Sequence, residues 1–156
     1  MLTRLVPAAV ALAVVLTACG TDTSQLARLQ AMPEDHLFYP GAVVLSSGGL
    51  NHQVTIEGTT YAASGHELGT NASVLQVSSF YSLQLRKLGW GPTLIDAGAA
   101  PGTETSAAAW AKDDAVFRLA FLRKGTDPRL PSASDQAQFT TIFQINLEEN
   151  PSPAGS

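Results

Sequence analysis

"TNASVLQVSSFYSLQLRKLGWG", residues 70–91, is the stretch on which the reading of this chain turns. Val74, Val77, Tyr81, Leu85 and Leu88 recur at the three- and four-residue spacing of an amphipathic helix, and Phe80 widens the apolar stripe. Thr70, Asn71 or Ser73 offers a side-chain oxygen to the first free amides. Arg86 and Lys87 fall in the last turn, where positive charge suits the helix dipole. Gly89 occupies the place of a left-handed cap residue, and Trp90 follows where it can fold back on the stripe. The Gly-Trp-Gly run is thus predicted to stop and pin the only long helix.

Outward from that helix the chain reads as strands. Residues 93–96 form a short apolar segment, and residues 105–111 a small-residue strand ending in Trp110. Residues 112–114 are a turn. Residues 115–123 then set Phe117, Leu119 and Phe121 opposite Val116, Arg118 and Ala120. After a loop over residues 125–136, Phe139, Thr141, Phe143, Ile145 and Leu147 alternate with Thr140, Gln144 and Asn146. On the other side, Pro40-Gly41 is a type II turn signature, because proline presets one torsion and glycine accepts the positive one. Residues 42–45 read as a short buried strand and residues 46–49 as a loop. Residues 51–60 read as one half-buried strand, with His52, Val54 and Ile56 facing away from Gln53, Thr55 and Glu57. Strands before and after a single helix predict an α+β domain over residues 36–149. Its expected form is an antiparallel sheet of about five strands with one long helix packed on one face.

The Tyr39-Pro40-Gly41 opening, Phe80-Tyr81 with Leu85 and Leu88-Gly89-Trp90, and the Trp110 strand before Lys112-Asp113-Asp114 together resemble small exported bacterial domains of unknown function. That resemblance implies the fold and carries no activity.

The first 18 residues have a different character. Met1-Leu2-Thr3-Arg4 is a short positive start, and residues 5–16 are an apolar run broken only by Pro7. A membrane span needs about 20 apolar residues, so the run fits a secretory signal instead. Cys19 follows, the single cysteine of the chain, and an intrachain disulfide is therefore impossible. Leu16-Thr17-Ala18-Cys19 resembles the lipobox of bacterial lipoproteins. The resemblance implies a diacylglyceryl group on the Cys19 sulfur, cleavage of a signal peptide over residues 1–18, and attachment to the extracytoplasmic face of the cell membrane. More than one acyl chain is needed for firm anchoring, since each buried methylene contributes only about 0.8 kcal/mol. Residues 19–35 then read as a lipid-anchored tether, and residues 150–156, with two prolines, as a disordered tail.

Charge narrows the partners. The chain has 9 basic and 13 acidic residues, a net charge of −4, with no clustered basic face. Nucleic acid is excluded as a partner on that ground, and so is a polybasic contact with anionic lipid.

The search for chemistry finds no catalytic set. His66-Glu67 lacks the second histidine of a zinc helix, because Thr70 stands where it would be needed. His36, His52 and His66 are scattered along the chain, and no metal site and no cofactor are expected. Ser64 lacks the flanking glycines of a nucleophile elbow. Ser46-Ser47-Gly48-Gly49 reads as a turn before it reads as an anion cradle. Asp113-Asp114 and Glu148-Glu149 read as solvated ends. Phe38, Tyr39, Trp90 and Trp110 allow either an exposed aromatic platform or a core. The expectation is a non-enzymatic, membrane-anchored domain that binds an envelope protein, a wall polymer or a small apolar ligand. A lipid carrier is the alternative, and an envelope hydrolase a more distant one.

Overall fold

The computed structural model describes residues 21–55, 57–94, 104–124 and 136–150. In chain order the elements are β1 (Thr21–Asp22), α1 (Ser24–Gln30), a 3-10 turn (Pro33–His36), β2 (Val43–Leu50), β3 (His52–Thr55), β4 (Gly58–Thr60) and β5 (Ala63–Thr70). Then come α2 (Val74–Lys87), β6 (Gly91–Thr93), β7 (Glu104–Lys112), β8 (Ala115–Leu122) and β9 (Thr141–Glu149). The signal segment, Leu16, Thr17, Ala18, Cys19, Ile56, the ends of two expected segments (95–96 and 125–135) and the tail beyond Asn150 lie outside the described residues.

Mixed helix and sheet with antiparallel pairing is what the sequence predicts, but the counts differ. There are two sheets, a six-stranded one in the order β2-β5-β9-β8-β7-β6 and a three-stranded one in the order β1-β3-β4. Two α-helices are present in place of one. The larger strand number has two sources. Residues 46–49, expected as a loop, continue strand β2, and residues 51–60 fold into a hairpin between β3 and β4 in place of one strand. Strand β5 was not expected at all, although it lies between β2 and β9.

The helix α2 forms as its sequence dictates. Ser73 Oγ accepts from the Gln76 amide at 3.3 Å while Gln76 Oε1 accepts from the Ser73 amide at 2.8 Å, a reciprocal capping box. At the other end Gly89 takes φ +86°, the Trp90 amide donates to the Leu85 carbonyl at 2.9 Å, and the Gly89 amide donates to that of Arg86 at 3.1 Å. These two bonds are the Schellman closure, and they turn Trp90 back into the core. Val77, Tyr81 and Leu85 are fully buried. They belong to one core cluster with Phe117, Leu119 and Phe121 of β8 and Phe143, Ile145 and Leu147 of β9. Full burial of one such aliphatic or aromatic side chain stabilises the fold by roughly 1.5–3 kcal/mol. Val74 and Leu88 are exposed, so the sheet-facing stripe is narrower than expected. They stand in the opening turn and at the cap, at the two ends of that stripe.

The same face of the sheet carries more than α2. Leu29 of α1 is fully buried in the core cluster, with Leu26 and Met32 packed beside it. The expected tether over residues 19–35 is therefore folded onto the sheet from α1 onward. Leu26, Leu29 and Met32 are spaced as a short apolar stripe, and that stripe needs the sheet to cover it. On the opposite face Leu122, Phe139 and Ile142 form a smaller cluster with Leu45 against it. Residues 42–45, expected to be buried, include Val43 and Val44, which are exposed because β2 is an edge strand.

Candidate functional site

The 3-10 turn at Pro33–His36 opens on proline, and its three polar side chains diverge. Glu34 reaches into the core, where its Oε1 accepts from Trp90 Nε1 at 3.0 Å and Lys112 Nζ lies 3.9 Å away. Asp35 and His36 approach β5. Asp35 Oδ2 lies 3.2 Å from His66 Nε2, and the other ring nitrogen, Nδ1, lies 2.8 Å from Ser47 Oγ on β2. Ser47 and His66 are register partners across the β2–β5 ladder, which fixes this second contact. The ring of His66 also meets Phe38 edge-on at 5.1 Å and sits 6.2 Å from that of His36. Asp35 is 3 % exposed, and its Oδ1 has no hydrogen-bond partner. One ligand atom each from Asp35, His36 and His66 lies within 4.8 Å of the others.

Two of the three histidines that chain position leaves scattered are thus neighbours. His52 is elsewhere, with Nδ1 at 2.7 Å from Glu149 Oε2, which also accepts from the Ala62 amide at 2.8 Å. The cue in the sequence was an acid and a histidine side by side at positions 35 and 36. Without β5 as a strand there was no reason to bring His66 to them.

Ser47, His66 and Asp35 run in the order hydroxyl, imidazole, carboxylate used by serine hydrolases. That reading gives no role to His36 and leaves Asp35 Oδ1 orphaned. Ser64, the serine tested for an elbow, is buried on β5 with its hydroxyl unpartnered.

The other sequence candidates are placed as follows. Ser46 donates to Glu67 at 2.6 Å on the sheet face away from α2, beside Gln144 and Asn146 in a polar groove. Asp113 takes φ +52° in the β7–β8 turn, and Asp114 pairs with Arg28 at 2.9 Å. Trp90 and Trp110 are buried, and Phe38 and Tyr39 pack against the core, so the four aromatics form no exposed platform. Tyr39, Pro40, Leu75, Ser79, Phe80 and Leu83 line an apolar surface groove on the outer flank of α2. Among the described residues no helix is long and apolar enough to cross a membrane.

Comparison with known protein families, with curated proteins and with solved structures finds no match for this chain.

Proposed function

We propose that this protein is a lipid-anchored component of the bacterial cell envelope, held by acylated Cys19 on the extracytoplasmic face of the membrane. Its domain works by binding another envelope protein and not by catalysis. The observation that carries the binding reading is the edge of the large sheet. Strand β2 is eight residues long and terminal in its sheet, and it exposes Val43, Val44 and Leu50. An edge of unpaired amides and carbonyls beside apolar side chains is a template for an added strand from a partner.

The experiment has two arms. Fatty-acid labelling of the wild type and of Cys19→Ala tests the anchor, with label expected on the first alone. Membrane pull-down with the full chain and with Val44→Lys tests the edge, since lysine is the residue that protects natural edges. A defined partner captured by the wild type and lost with Val44→Lys is the expected result. Equal capture by both refutes the edge.

The groove on the outer flank of α2 favours a second reading, a carrier of a lipid or other small apolar ligand. The space between helix and sheet is filled by Tyr81, Phe117 and Phe143, so such a ligand would lie in the groove. Lipid that co-purifies with the wild type and is lost with Leu75→Asp would favour it.

A further inference from the structure

We propose that Asp35, His36 and His66 bind a zinc ion, with Ser47 orienting His66 from behind. Imidazole and carboxylate are ordinary zinc ligands, and three protein ligands leave a fourth position for water or for a donor from a partner. Ligand atoms at zinc distances stand roughly 3.3 Å apart on a tetrahedron. The three donors here lie within 4.8 Å of one another, and His36 is exposed at the end of the 3-10 turn, where its ring is free to close the gap.

Three further observations support a cation over a hydrolase relay. Asp35 Oδ1 is a buried carboxylate oxygen without a hydrogen-bond partner, an arrangement that costs free energy unless something positive satisfies it. Among the described ion pairs, His66 is the one partner Asp35 has. Ser47 lies against His66 Nδ1, so with the Nδ1 proton donated to that hydroxyl, the lone pair of Nε2 faces the Asp35 carboxylate. Two facing lone pairs need a proton or a metal ion between them. A second partner holding the remote ring nitrogen is the usual device for aiming a ligating histidine.

The inference is independent of the anchor and is tested on the full chain in detergent. Zinc is titrated by calorimetry, and cobalt(II) absorption reports ligand geometry. The wild type is expected to bind a single equivalent with a tetrahedral cobalt spectrum. His36→Ala changes an exposed residue and leaves the fold intact, which circular dichroism checks. It is expected to weaken zinc by at least about tenfold, and Ser47→Ala by about 10- to 100-fold, as for other partners behind a ligand. No uptake by the wild type overturns the proposal. So does uptake unchanged in His36→Ala, or uptake that follows His52→Ala or Cys19→Ser instead.

Discussion

The half of the large sheet built from β7, β8 and β9 packs large side chains against α2, whereas the half built from β2 and β5 packs almost none. In the first, Phe117 lies within 6.4 Å of the ring centroids of Tyr81, Trp90 and Trp110. In the second, the buried residues of β5 are Ser64, Glu67 and Thr70 with a single large apolar one, Leu68. Its glycines are there because neighbours sit where a Cβ would be. A Cβ on Gly69 would stand 2.5 Å from the ring of Phe139, and one on Gly65 would collide with the Asn146 amide. One half is held by bulk and the other by close approach. The polar contacts that join Asp35, His66 and Ser47 are in the half with room for them.

The contrast can be broken by mutation. Phe117→Ala removes the ring shared by three aromatics and is expected to cost about 3–5 kcal/mol in chemical denaturation. A loss under 1 kcal/mol would mean that this half is not held by bulk. Gly69→Ala adds one methyl group and is expected to cost about 1–3 kcal/mol, since Phe139 must move. If it is neutral, the idea of interlocked small residues fails.

Tyr81→Phe sharpens the comparison and has the smallest effect. The Tyr81 hydroxyl is buried without a partner in bonding geometry, and burial raises its phenol well above the ordinary range, with the Tyr39 backbone offsetting only part. The unfolded chain therefore ionises first as pH rises. The stability this group contributes is complete below its unfolded value, near pH 10, and is lost as pH rises from there toward the folded value. Tyr81→Phe is expected to leave midpoints near neutral pH almost unchanged and to flatten the alkaline decline. An identical decline in both proteins would remove Tyr81 as its source.

The same division explains what the sequence discloses. The ends of α2 were legible because Ser73, Gln76, Gly89 and Trp90 act on their own neighbours in the chain. Strands β8 and β9 were legible because a buried face needs a period-two pattern. Strand β5 carries no such pattern. Its small residues answer to Asn146 and Phe139, nearly 80 residues away, and no local rule reports that. Ser46–Gly49 looked like a turn by composition, yet an edge strand is held by its ladder and asks little of its side chains. The site suffered with the strands. His66 meets Asp35 and His36 only once β5 is in the sheet and the 3-10 turn lies over it.

The short pairing of β1 with β3 has a mechanical consequence. Thr21 is matched with Gln53, and α1 begins at Ser24, so only two residues separate Cys19 from ordered chain. Two residues reach at most about 7 Å. A protein acylated there is moored close against the lipid and does not float on a long line. Its β3–β4 hairpin is carried beside the headgroups, and the same flank of the domain is turned to the bilayer in every copy.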